Sequence, residues 1–254
     1  MPLVDWSTEG AVTVLTLRNP PANALRRALL RELAGALDRV EAEKPRALVL
    51  SGGGGKFFSA GLDLMELPDL SRSDVEALGT ELVGALLRLF RLPCPVLAAV
   101  NGHAVAGGAL LALTAERRVG VCGGALFGLN EVQVGLPLPA PLFELVRSEV
   151  DEAHAGRVLL EGHNHTVDEA LAAGLLHEAV SPGELMDRTL TLARKLASVP
   201  QSAYARMKEL LRSSAEERIG RQGQDADFVR IWFEPETQAT MRAARDRLKG
   251  RSTG

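Results

Sequence analysis

The amino-acid sequence predicts an α/β protein whose C-terminal part is a helical subdomain. Three observations carry that prediction. Residues Ala11 to Leu17 (AVTVLTL) alternate at the period of a half-buried strand. Short apolar runs at Ala47 to Leu50 and Val96 to Val100 each lead through a glycine-rich turn toward a helical pattern. Beyond Pro141, helical periodicity takes over almost entirely.

The elements follow in order. After the first strand, Asn19-Pro20-Pro21-Ala22-Asn23 reads as a turn, with Asn23 placed to cap a helix whose apolar face is Leu25, Leu29, Leu33, Leu37 and Val40. Lys44-Pro45 ends that helix, and Ala47 to Leu50 is a buried strand. The glycine run Gly52 to Gly55 follows, then Lys56 to Leu64. Ser73 to Phe90 is a long helix, closed by Pro93 and Pro95, and Val96 to Val100 is a strand. Asn101 to Gly108 is a turn-rich loop opening a helix over Ala109 to Ala115. Val119 to Val121 and Ala125 to Gly128 read as strands. Helices are expected over Leu142 to Val146, Asp151 to Leu160, Val167 to Ala173, Gly183 to Ala197, Pro200 to Arg212, Ala215 to Phe233 and Glu236 to Lys249. The division expected is a core over 1–195 and a C-terminal helical trimerisation or lid region over 196–254.

With 46% hydrophobic and 24% charged residues, the 254-residue chain can bury a full globular core. A net charge of −3 speaks against nucleic acid as partner. Cys94 and Cys122 form no C-x-x-C pair, so neither a zinc nor a redox motif is indicated. Met1 to Gly10 has neither the basic nor the apolar region of a secretory signal, and no apolar stretch is long enough for a bilayer. The expectation is a cytoplasmic protein without a metal. Gly52 to Lys56 lacks the Ser/Thr and the spacing of a phosphate loop. His163 and His165 lack a third ligand, His103 reads as a surface-loop histidine, and Ser59 lacks the partners of a hydrolase nucleophile. Trp232 and Phe233 read as packing residues.

Two loops are physically alike. Ser59-Ala60-Gly61-Leu62 and Ala106-Gly107-Gly108-Ala109 each follow a strand, contain small residues that let a ligand approach the main chain, and lead toward a helical or apolar segment. Free N–H groups at such turns point outward together, and two aimed at one point form an oxyanion hole. Taken singly, either loop is read as a tight turn; the pair is the stronger signal. Glu131 lies in an apolar run, where a glutamate is paired, exposed at a bend, or catalytic with a raised pKa.

These segments resemble the enoyl-CoA hydratase/isomerase (crotonase) superfamily from Ala11 to about Lys249. The matching motifs are Asn19-Pro20 with Asn23-Ala24-Leu25, Phe58 to Leu64, Asn101-Gly102 with Gly107-Gly108, Phe127 to Glu131, and Glu169-Ala170 with Gly174-Leu175. The resemblance implies a right-handed spiral of ββα units, a trimer or a pair of stacked trimers, and an acyl-CoA thioester as substrate, with no cofactor beyond the coenzyme A of the substrate itself. It places the peptide N–H groups of Leu62 and Gly107 as the oxyanion hole and Glu131 as the catalytic acid–base. Ala24, Ser59, Ala60, Gly61, Asp63, Leu64, Gly108, Leu110 and Asn130 fall at the substrate, Asp63 fixing its loop, and Lys208 at the coenzyme A phosphates. As a residue, Lys208 otherwise reads as part of a solvated helix face.

One departure bears on the reaction. Hydratases of the family carry a second glutamate where this chain has Leu110, and hydration wants two groups around one water. A single carboxylate suits the shift of a double bond from 3-enoyl-CoA to 2-enoyl-CoA, and the motifs look most like the Δ3,Δ2-enoyl-CoA isomerases. The alternatives are hydration or another crotonase-type acyl-CoA reaction, and a catalytically silent acyl-CoA binder. The proline-rich run Gly135 to Pro141 is expected to border the acyl pocket.

Overall fold

The computed structural model describes residues 1–222 and 225–252. The strands are β1 (Val4–Glu9), β2 (Val12–Leu17), β3 (Ala47–Ser51), β4 (Phe57–Ser59), β5 (Val96–Val100), β6 (His103–Val105), β7 (Arg117–Val121), β8 (Leu126–Gly128), β9 (His165–Thr166) and β10 (Glu178–Val180). The helices are α1 (Arg27–Glu43), α2 (Arg72–Arg91), α3 (Gly107–Leu113), α4 (Ala140–Glu149), α5 (Glu152–Ala155), α6 (Val167–Ala172), α7 (Leu185–Ala197), α8 (Gln201–Arg221), α9 (Ala226–Trp232) and α10 (Pro235–Ser252).

Successive units place one strand in each of two sheets before a helix: β3–β4–α2, β5–β6–α3 and β7–β8–α4. The larger sheet has the order β1-β2-β3-β5-β7-β10, with β1 antiparallel to β2 and the other neighbours parallel. The smaller has the order β4-β6-β8-β9, with only β9 antiparallel. This is the ββα repeat and helical C-terminal region of the crotonase-like fold.

Strand periodicity decides which residues serve which side. From β2 and β3, Leu15, Leu17, Leu48 and Leu50 enter the main core with α1 and α2. Val12, Val14, Ala47 and Val49 point the other way and are covered by Leu185, Leu190 and Ala193 of α7. Helix α3 is buried on every side, which explains its uniformly apolar sequence. Among the described residues no helix is long and apolar enough to cross a membrane.

The structure corrects several expectations. Asn23 does not cap α1, whose N-cap is Arg26 with no side-chain bond. Instead Asn23 has φ +47°, and its amide donates to the carbonyls of Gly52 (2.8 Å) and Phe58 (3.1 Å). The helix expected over Asp151 to Leu160 is α5 followed by a π-helical turn, Gly156–Leu160. The break expected after Arg212 is absent, because α8 runs through to Arg221. The single helix expected over Ala215 to Phe233 is the end of α8 and a separate α9; residues 223, 224, 253 and 254 lie outside the described residues. Strands β1, β4, β6, β9 and β10 are absent from the sequence reading; β9 and β10 interrupt the nearly all-helical stretch expected after Pro141.

A buried ion network fixes α8 to the core. Arg212 reaches Glu116 (2.8 Å) and Glu149 (3.1 Å), Arg118 reaches Glu149 (3.1 Å), and Lys208 reaches Glu116 (2.7 Å). Each cation is thereby paired, as burial of charge demands.

Candidate active site

Strand β4 ends in a loop that short bonds tie to the segment before α1. Ala60 N–H donates to Ala22 O (2.9 Å), Leu25 N–H to Gly61 O (2.7 Å), and Ser59 Oγ to Asn23 O (2.7 Å). The Gly61 N–H is taken by Ser59 Oγ at 3.2 Å. Gly61 has φ +77°, and a Cβ there would lie 2.6 Å from the Gly107 nitrogen, so both backbone shape and contact require glycine.

The second loop lies against the first. Ala106 N–H donates to Gly128 O (2.8 Å), and Ala106 adopts φ 50°, ψ −131°, a strained conformation for alanine, immediately before α3. A Cβ on Gly108 would fall 2.0 Å from Ser59 O. Glycine at 108 thus lets the two loops touch backbone to backbone. A Cβ on Gly107 would start 3.6 Å from the Leu62 nitrogen. The amides of Leu62 and Gly107 are therefore neighbours on one wall, and among the described residues no acceptor in the chain takes either N–H. The N-terminal end of α3 adds its dipole at the same point.

That wall belongs to a cavity of about 720 Å³. Ala24, Ala60, Leu62, Asp63, Leu64, Gly107, Leu110, Asn130 and Glu131 all line it. Ser59, Gly61 and Gly108 do not; they lie behind the wall and set its shape. The lining is chiefly apolar, and its buried part comes from Leu67, Leu82, Leu110, Leu136, Phe228 and Ala244. Pro137, Leu138 and Pro139 of the proline-rich run also border it.

Glu131 opens a one-turn 3-10 helix, Glu131–Val134, just after β8. The residue is half-buried, but Oε2 is buried and has no hydrogen-bond partner. Loss of water pushes its pKa up from 4.5 to about 7, against a smaller opposing effect of its own backbone N–H. A carboxyl poised there both takes and returns a proton near neutrality. The other lining carboxylate is occupied: Asp63 pairs with Arg26 and accepts the Met65 N–H (3.0 Å). Leu110, buried on the cavity wall, supplies no polar group.

Lys208 is a correction. Its ammonium is buried, held by Glu116 and by Cys94 O (3.1 Å), and it is absent from the cavity lining. It is neither a phosphate ligand nor part of a solvated face; it is committed to the network under α8. His103, in β6, lies tilted against Phe57 (5.0 Å between centroids, 42° between ring planes) and accepts the Leu126 N–H. His163 and His165 meet edge to face, and no group able to hold a metal occurs among the described residues. Trp232 is fully buried against Phe228, one layer behind the cavity.

Several cavity residues have no signal in the sequence. Arg26 lies in what reads as a helix start, and Ala244, Arg247 and Leu248 lie on α10, whose mostly polar sequence suggests a solvated helix. Phe228 could have been found, as an apolar residue one turn before Trp232.

Comparison with known proteins finds relatives over nearly the whole chain. Residues 7–243 match the family model described as enoyl-CoA hydratase/isomerase. A probable enoyl-CoA hydratase of Bacillus subtilis (strain 168) is 32% identical, over 84% of this chain and 83% of that protein. The human mitochondrial enoyl-CoA delta isomerase 1 is 29% identical, over 97% of this chain and 83% of its own. The crystal structure of the human mitochondrial Δ3-Δ2-enoyl-CoA isomerase superposes with a TM-score of 0.93 at 28% identity, covering 98% of this chain and 99% of that one.

Proposed function

This chain belongs to the enoyl-CoA hydratase/isomerase family, and from that premise we propose that it moves the double bond of a 3-enoyl-CoA to the 2-position. The observation that carries the reading is the count of usable carboxylates on the cavity: Glu131 is free, Asp63 is held by Arg26, and Leu110 is apolar.

In this reaction the thioester carbonyl accepts the N–H groups of Leu62 and Gly107. Ionised Glu131 takes a proton from C2, and the C2–H electron pair delocalises onto the carbonyl oxygen as a dienolate. The two amides stabilise that charge where it develops; one such donor is worth ~10²–10³ in rate. Protonated Glu131 then delivers the same proton to C4, and the carbonyl re-forms with the double bond between C2 and C3. No water enters the balance. An apolar wall at Leu110 keeps water from the dienolate and leaves the carboxyl its raised affinity for a proton.

Hydration is the competing reading, favoured by relatives named as hydratases at similar identity. It needs a second acid–base group beside the attacking water, and apart from Glu131 and the Asp63 held by Arg26 the polar residues of the wall, Asn19, Arg26, Asn130, Gln133 and Arg247, supply no carboxylate. Incubation with 3-enoyl-CoA and with 2-enoyl-CoA, each followed by NMR, separates the two. The isomerase reading expects 2-enoyl-CoA from the first and no 3-hydroxyacyl-CoA from the second. Turnover by Glu131→Gln at the wild-type rate, or hydration as the faster reaction, overturns it. Assembly as a trimer or stacked trimers goes with the reading; Met207, Leu210 and Leu211 leave an apolar strip exposed on α8, and sedimentation equilibrium tests it.

A further inference from the structure

We infer that Thr237, at the start of α10, is a positioning residue that holds the turn carrying Glu131. The inference rests on the reading of Glu131 as the proton carrier.

The carboxyl oxygen Oε2 of Glu131 has no partner of its own, so its place is set by the backbone beneath it. That backbone is one 3-10 turn. On its leading side the Gln133 N–H donates to Asn130 O (3.0 Å), and β8 is joined to the oxyanion loop through Ala106 N–H to Gly128 O. On its trailing side the Leu136 N–H returns to Glu131 O (3.0 Å), across Gly135. Gly135 closes the turn with φ +82°.

Thr237 engages that junction. It is buried, and its hydroxyl donates to Gly135 O at 3.2 Å. A Cβ on Gly135 would stand 3.2 Å from the Thr237 Cα, so the glycine also admits α10 to close backbone approach. Gln133 Nε2 reaches Glu161 O (3.2 Å) on the opposite flank. The turn is thus gripped from two sides, and Thr237 supplies the grip nearest the residue that terminates it. Thr237 is absent from the cavity wall, so it acts on Glu131 through Gly135 and touches no substrate.

Displacement of a reacting group by about 1 Å costs up to ~10²-fold in rate. Thr237→Val keeps the shape of the side chain and removes its donor. The expected result is a kcat at least about tenfold lower on 3-enoyl-CoA with KM within about twofold, while Thr237→Ser, which keeps the hydroxyl, recovers at least half of the wild-type kcat. Thr237→Ala must lower kcat no less than Thr237→Val does, and serves where the valine variant folds poorly by circular dichroism. Wild-type kcat in folded Thr237→Val or Thr237→Ala overturns the inference, as does a Thr237→Ser variant that loses as much as Thr237→Val. Glu131→Gln in the same assay isolates the premise: if that variant turns over normally, the reading of Glu131 fails, whereas an inert Glu131→Gln beside a fully active Thr237→Val rejects Thr237 alone.

Discussion

Replacing Glu131 by glutamine makes the protein gain stability relative to the wild type as pH rises through neutrality, and the size of that change follows from the burial of one oxygen. In the unfolded chain the carboxyl has its ordinary value of 4.5; in the fold it is raised to about 7. The folded state therefore holds this proton more tightly than the unfolded state does, and stability falls as pH rises between the two values. The stabilising preference is complete below pH 4.5 and is gone once pH has passed about 7. At ~1.4 kcal/mol per pH unit the interval is worth about 3 kcal/mol. Glutamine pays a pH-independent desolvation cost, so the quantity to measure is the change in the difference. Urea unfolding of both proteins, followed by far-UV circular dichroism at pH 4.5 and pH 8, is expected to show the variant gaining about 3 kcal/mol on the wild type between the two conditions. A difference that stays constant with pH would refute the claim that the fold withholds water from this carboxyl.

Three further expectations are read by separate experiments. The kcat/KM for 3-enoyl-CoA should rise with pH through about 7 and then level, because the proposed mechanism starts from the ionised form of Glu131; a flat profile from pH 5 to 9 contradicts it. Gly108→Ala should cost more than ~3 kcal/mol in urea unfolding, since its methyl would enter the Ser59 carbonyl; an unchanged midpoint contradicts the backbone contact. Lys208→Met should lower stability by about 2–3 kcal/mol, the lower end for a buried pair because Glu116 keeps Arg212, and leave the KM for acyl-CoA within twofold; a tenfold rise in KM at unchanged stability would return the residue to the substrate.

Much of the fold is legible because burial imposes a period on the longer elements. The leucine stripe of α1 meets a single core face, and Val12 to Leu17 shows a strand period even though β2 is buried on both sides, its leucines in the main core and its valines under α7. Strands β4, β6 and β9 are invisible for the converse reason: two or three residues cannot display a period, and their pairing is with partners distant in the chain. Of the site, the two glycine loops and Glu131 stand out because each breaks a local rule, small residues where a helix should start and a charge in an apolar run. Asn23 deceives because an asparagine ahead of a helix satisfies the local capping rule, whereas here it bridges Gly52 and Phe58. Lys208 deceives similarly, as its carboxylate partner is far away in sequence on the segment before β7. Nothing local marks α10 as a cavity wall.

That the cavity is walled by residues as far apart in the chain as Asn19 and Leu248 has a bearing on biosynthesis. Both amides and the carboxyl are translated well before α10, yet the chamber they face has one side missing until that helix emerges and docks. A polypeptide still being made therefore lacks that wall, and the pocket is enclosed only once the last helix has docked.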